Sequence, residues 1–335
     1  MILFALLAVT LIVLAASIRY GAIDFSIAEI IRALASVLPG YPEPTLDQRI
    51  FLELRFPRAV LCLLVGAALG VGGSLMQALF RNPIVEPGLV GTSSGAAFGA
   101  ALFFVLGNLL HVGTSIWSLP FAACIGGVIS TYLVFLLARS HEDGRASIVM
   151  LLLTGLAVNA LFMSAIGFLS YLARDPQARS ITFWSLGTLS GANWKAVEIV
   201  AISTILGSII ALRYAKQLNA LMIGEEEATY LGVNVNRLKW IILSVNVVIV
   251  AVATAFTGVI SFVGLVVPHI LRMLGGADNR FLIVGSALTG AALLTLADLM
   301  ARLVVRPAEL PIGILTSAVG VPVFILLLRR RHYVF

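Results

Sequence analysis

The stretch Leu61–Phe80, LCLLVGAALGVGGSLMQALF, decides the fold. Its apolar residues fall on every side of a helix instead of at alternate positions, so it reads as a helix and not as a strand of a lipid-facing barrel. A hydrocarbon core of about 30 Å takes roughly 20 residues of helix. Working outward, comparable runs occupy 2–19, 57–79 (which holds the quoted stretch), 90–108, 115–138, 146–172, 194–212, 239–260, 261–274, 281–303 and 312–328. The chain therefore reads as an all-α polytopic membrane protein of ten transmembrane helices, one domain over 1–335. The eighth run is short and holds Pro268, so a broken or tilted span is expected there. The first run ends in Ala15-Ala16-Ser17, as a signal peptide can. It lacks a basic n-region, however, and is longer than an ordinary h-region, so it reads as an uncleaved helix.

Composition agrees. The 335 residues are 60% hydrophobic and 11% charged, with a mean hydropathy of +1.05. Soluble domains carry about 25% charged residues, so a compact soluble core of this length is excluded. The net charge of +6 sits in loops and helix ends, where it suits lipid headgroups or acidic partners. No basic–aromatic pattern points to nucleic acid. Cys62 and Cys124 lie in apolar runs without metal or redox spacing and read as buried fillers. Gly66 and Gly70, and the stripe Gly91, Gly95 and Gly99, predict helices in close contact.

One interval breaks the apolar pattern. Between Leu212 and Trp240 the chain reads LRYAKQLNALMIGEEEATYLGVNVNRLKW, with Glu225, Glu226 and Glu227 between Gly224 and Gly232 and with Arg213, Lys216, Arg237 and Lys239 on the flanks. Glycine, an acidic first turn, Ala228, Leu231 and a second glycine predict a short capped helix. A long helix-forming loop in such a protein reads as a coupling element that meets a soluble partner at the membrane surface, between the sixth and seventh spans. Ten spans put both termini on one side, and Arg329, Arg330 and Arg331 assign that side to the cytoplasm. The 22 Lys and Arg then divide into twelve inside, Arg139 and Arg145 among them, and ten outside, an unusually basic exterior.

Five stretches resemble the FecCD-type permeases of ABC importers, the branch that handles ferric siderophores, haem and cobalamin. They are LRFPRAVLCLLVGAALGVGGSLMQALFRNPIVEPGLVGTSSGA (54–96), FWSLGTLSGANW (183–194), GEEEATYLGVNV (224–235), FTGVISFVGLVVPHILR (256–272) and ADLMARLVVRPAELPIGILTSAVGVPVF (297–324). The resemblance implies a bacterial inner-membrane subunit that pairs with a second copy of itself around a central pathway. It also implies two cytoplasmic ATPase subunits and a periplasmic substrate-binding protein. The chain has no GxxxxGK[ST] phosphate loop, so ATP and Mg belong to the partner subunits and the chain is not itself an enzyme. By the same resemblance Arg55, Arg58 and Arg302 are docking contacts for the binding protein, while Gly224, Glu225, Glu226, Ala228, Leu231 and Gly232 form the ATPase-coupling element. Snorkelling is the competing reading for the arginines, and Asp298 stands four residues from Arg302 as a local partner.

Tyr171, Arg174 and Arg179 follow the fifth span, the pathway-lining helix of the family, where cations would suit an anionic iron chelate; a solvated loop is the alternative. Asn82-Pro83 reads as a structural turn. His269 lies in a Pro-His that the family carries whatever the cargo, and no bound metal is expected. Haem is the favoured cargo, from the SITFWSLGTLSGANW stretch, with a ferric siderophore or cobalamin as alternatives. A self-contained secondary transporter would need carboxylates inside the bilayer, and apart from Asp298, near a helix end, the spans show none well inside it. A membrane enzyme would need clustered groups, and His111, His141, His269 and His332 are scattered.

Overall fold

The computed structural model describes residues 1–21, 23–39, 41–107, 115, 117–138, 148–306 and 308–329. Arg139, Arg145, Arg330, Arg331, His111, His141 and His332 lie outside the described residues. Among those described there is no strand.

The helices are α1 (Ile2–Arg19), α2 (Ile27–Ala35), α3 (Leu46–Ile50), α4 (Phe56–Leu79), α5 (Thr92–Leu106), α6 (Ser118–Leu137), α7 (Ile148–Leu172), α8 (Asp175–Ser185), α9 (Trp194–Ile223), α10 (Glu225–Tyr230), α11 (Val235–Thr257), α12 (Val263–Gly275), α13 (Asn279–Leu303) and α14 (Ile312–Arg329). A π-helical turn over Phe51–Arg55 joins α3 to α4 in one continuous run. Among the described residues seven helices are long and apolar enough to cross a membrane, and shorter apolar helices, α5, α12 and α14, stand where the sequence places the other three.

The quoted stretch becomes the axis of the molecule. α4 is buried along nearly its whole length, packed by α9, α11, α12 and α13. Small residues make this possible: a Cβ on Gly66 would collide with the carbonyl oxygen of Gly290 in α13, and one on Gly70 with that of Ser286. α5 and α6 meet in the same way, Gly95 against Gly126 and Gly99 against Ala122. Lipid offers helices no hydrophobic drive to associate, so backbone contact over small residues supplies the dispersion energy instead. The two glycine stripes thus mark two real seams.

Two expectations need correction. The interval from Leu212 to Trp240 is not one long loop: α9 continues to Ile223 and α11 resumes at Val235, leaving only 224–234 between them. Its polar residues occupy the ends of long helices that outrun the apolar window. The break in the eighth span is not at Pro268, which lies inside α12. It lies before the helix, at 258–262, where Gly258 (φ +71°) and Phe262 (φ +69°) take left-handed conformations. Backbone freed at such breaks is satisfied from other chain segments: the Thr188 N–H donates to the Thr257 carbonyl at 2.7 Å, and the Ile312 and Gly313 N–H groups donate to Gly187 and Leu186 at 3.1 and 2.9 Å.

A carboxylate also enters the bundle from outside the spans. After Leu79 the chain turns at Arg81, also left-handed (φ +49°), and folds back along α4. Pro87 Cδ comes within 2.7 Å of where a Cβ of Gly264 would stand, and Gly264 in turn abuts Gly73. Gly73 precedes the end of α4 by six residues, so the loop re-enters the bundle by about 9 Å. Glu86 is carried in with it, and its Oε1 accepts the Phe262 N–H at 2.9 Å. No apolar-run count reveals this acid, because it enters on a loop.

Candidate functional site

The two ends of the bundle hold the residues that the sequence singles out. At one end meet the C-termini of α1 and α13, the start of α4 and the 304–311 connection. An aromatic row fixes the local backbone: Phe25 packs on Phe51 (5.5 Å), Phe51 on Phe56 (5.9 Å) and Phe56 on Trp194 (5.2 Å). The Trp194 indole donates to the Leu52 carbonyl within the π-helical turn. That turn re-aims Arg55, as π-bulges often do at functional positions. Its guanidinium donates to the carbonyls of Tyr20 (2.6 Å) and Ile23 (2.9 Å) and lies over the Phe25 ring.

Arg58 and Arg302 share one carboxylate. Arg58 Nε and Nη2 donate to Asp298 Oδ1 at 3.2 and 2.9 Å, while Arg302 Nε stands 2.9 Å from Asp298 Oδ2. Arg302 Nη2 also donates to Ser17 Oγ at 2.7 Å, tying α13 to α1. Arg58 Nη1 donates to both oxygens of Glu309 at 2.9 Å. The local i,i+4 partnership of Asp298 and Arg302 is therefore present, and the sequence missed that Arg58 and Glu309 join it. Arg302 is only 4% exposed, because its role in this structure is to neutralise Asp298 and anchor α1. A cavity of about 280 Å³ opens beside the cluster, lined by Arg58, Thr188, Ser190, Asp298 and Glu309 among others.

At the opposite end α10 forms as predicted over Glu225–Tyr230, with Gly224 before it and Gly232 left-handed after it (φ +83°). The Val233 N–H closes on the Ala228 carbonyl at 2.9 Å. Ala228 is fully buried, and Glu225 Oε2 is 2.8 Å from the buried Lys239 Nζ, so the short helix is tethered to both neighbours. No periodic signal in the sequence links Lys239 to Glu225, because the pair spans two helices. The tether leaves Tyr230 (88% exposed) and Leu231 (65% exposed) standing outward. A groove of about 570 Å³ runs along α10, lined by Glu225, Glu226, Thr229, Tyr230 and Val233–Asn236. Alongside, Asn219 bonds Asp278 and Asn279, binding the end of α9 to the α12–α13 turn. The bond from Asn219, with one from the Arg280 N–H, holds the Asp278 carboxyl below the ordinary carboxylate range.

Tyr171, Arg174 and Arg179 gather at the α7–α8 corner, all exposed, in a third location that joins neither end cluster. Gln177 ties this corner to α5 by donating to the Phe104 carbonyl at 2.9 Å. His269 is buried within α12. Asn82 makes the structural turn expected of it, its Oδ1 accepting the Ile84 N–H.

Set beside known proteins, residues 9–330 match the model of the FecCD transport family. The chain is 46% identical over 285 residues to the hemin transport system permease protein HmuU of Yersinia pestis, covering 84% of each. It is 40% identical over 293 residues to the cobalamin import system permease protein BtuC of Halobacterium salinarum, covering 88% of this chain and 76% of that one. A solved structure described as a metal-chelate type ABC transporter in an inward-facing conformation superposes with a TM-score of 0.85 and 32% identity, over 98% of this chain and 99% of that one. From its axis of small residues to its two charged ends, this multi-pass protein belongs to the FecCD transport family, the membrane permease subunits of ABC importers.

Proposed function

We propose that the chain is the pathway-forming subunit of an ATP-driven importer that carries haem from the periplasm to the cytoplasm, working as a pair of copies in the bacterial inner membrane. The observation that carries this reading is α10: a short helix tethered from inside that presents Tyr230, Leu231 and a groove to a soluble partner. In this reading the groove receives an ATPase subunit, on the cytoplasmic side with both termini, and ten helices cross the bilayer. The opposite end faces the periplasm, where Arg55 and Arg58 receive a substrate-binding protein and Arg302 supports them from within. ATP and Mg stay on the ATPase subunits.

A second copy is supported by α7. Val149, Leu153, Leu156, Ala160, Met163, Gly167 and Tyr171 recur every three or four residues, on one face of the helix, and every one is exposed. Nothing lies within 4 Å of where a Cβ of Gly167 would stand. Tyr171, Arg174 and Arg179 then lie where that face reaches the periplasmic side, placed to meet an anionic chelate. Haem is favoured by the similarity to a hemin permease, and cobalamin is the second reading because a cobalamin permease follows at 40% identity. The test is uptake by the chain reconstituted with its ATPase and binding protein, offering haem, cobalamin and a ferric siderophore in parallel. Uptake of haem alone, lost on Gly224→Pro, is the expected result; cobalamin uptake would replace the cargo, and ATP-independent uptake would sink the reading. Reversing Arg55→Glu with Arg58→Glu should weaken the binding protein at least tenfold at low salt and flatten its salt dependence.

A further inference from the structure

The arginine end is already occupied by the chain's own acids, and the two acids are held differently. Asp298 is 1% exposed, sits on a helix and is gripped by two arginines. The Glu309 side chain is 42% exposed, sits on the 304–311 connection and is held by Arg58 Nη1 alone among the described residues. The backbone just after it is pinned independently: the Leu310 N–H donates to the Ala301 carbonyl and the Ile312 N–H to Gly187. Glu309 can therefore rotate off Arg58 without disturbing the start of α14, and the cavity of about 280 Å³ beside it gives it somewhere to go.

The charges favour an incoming acid. Arg55, Arg58 and Arg302 face two carboxylates, leaving one net positive charge, and no ion pair of Arg55 is present among the described residues. An acidic side chain of a partner would meet an attractive field but would find the outward edge of Arg58 taken. We propose that docking at this end works by carboxylate exchange: an acidic side chain of the binding protein takes the Nη1 edge of Arg58 from Glu309, which swings out. Resting on the docking role proposed above, this adds a built-in competitor. Glu309 keeps a mostly buried guanidinium paired when nothing is docked, and it returns to speed release.

Affinity of the purified substrate-binding protein for the full complex in nanodiscs tests the exchange. Removing the competitor with Glu309→Gln should tighten binding about fivefold, chiefly by faster association at low salt. Glu309→Asp, which keeps the charge but shortens the reach, should fall between the parent and Glu309→Gln, and it serves if the first variant assembles poorly. Arg58→Gln should weaken binding. If Arg58→Gln weakens binding while Glu309→Gln and Glu309→Asp leave it unchanged or weaker, exchange is overturned and the docking role stands. If neither Arg58→Gln nor the Arg55, Arg58 double reversal changes affinity, the docking role itself fails, and the exchange with it.

Discussion

The two ends of this bundle prepare for partners in opposite ways. At the α10 end one acid, Glu225, is tied inward to Lys239, and Tyr230 and Leu231 stand outward beside the groove, uncovered, with Glu226 and Glu227 exposed next to them. At the arginine end the outward-facing groups are charged, and Arg58 is already paired with Asp298 and Glu309. An apolar contact can be left uncovered until its partner arrives, since its exposure costs only about 25 cal/mol per Å², which docking recovers. A half-buried cation cannot be left bare, because an unpaired charge out of water costs several kcal/mol. The second end therefore has to carry its own counter-ions, and a partner there must replace one of them.

The largest expected effect breaks the arginine end. Asp298→Ala leaves Arg58 and Arg302 in a buried site without their shared counter-charge, and should cost about 3–5 kcal/mol, read as a large drop in the melting temperature of the detergent-solubilised protein. A Tm within a degree or two of the parent would mean that water reaches the cluster.

The joint between the ends comes next. Glu86→Leu removes the acceptor for the Phe262 N–H and should destabilise by about 1–3 kcal/mol, whereas Glu86→Gln keeps an acceptor and should stay near the parent. Equal losses in both variants would assign the effect to charge instead.

At the α10 end, Leu231→Asp should reduce ATPase co-purification about tenfold, or roughly 1.4 kcal/mol, with the melting temperature of the isolated chain unchanged. Loss of stability in the isolated chain would show that Leu231 holds the fold. The smallest effect is expected from Glu225→Gln. Its pair is partly exposed, so about 0.2–1 kcal/mol is at stake, visible only as a slight loosening of α10 in hydrogen exchange. A collapse of coupling in this variant would make the tether itself the partner contact and erase the contrast between the ends.

Much of the molecule is legible in its residues. Apolar runs locate the spanning helices because lipid demands about 20 apolar residues whatever surrounds them. The paired glycines locate the α4–α13 and α5–α6 seams, since close backbone approach leaves room for little else. α10 is announced by its two glycines and acidic first turn, which act within one helical turn. Where the polar interval misled, the reason is local too: helices can run past the bilayer, and hydropathy alone cannot separate such an extension from a loop.

What the chain could not reveal alone were the pairings across distance. Arg58 meets Asp298 over 240 residues and Glu309 over 251, and Glu86 meets Phe262 over 176. No periodicity links such positions; they are joined only because α4 and α13 lie antiparallel and a loop folds back along α4. The sequence determined that these helices form and which faces come close, since both follow from forces acting over a few residues. The tertiary structure decided which charges neutralise each other, because that depends on which helix ends share a place, and electrostatics acts through space and not along the chain.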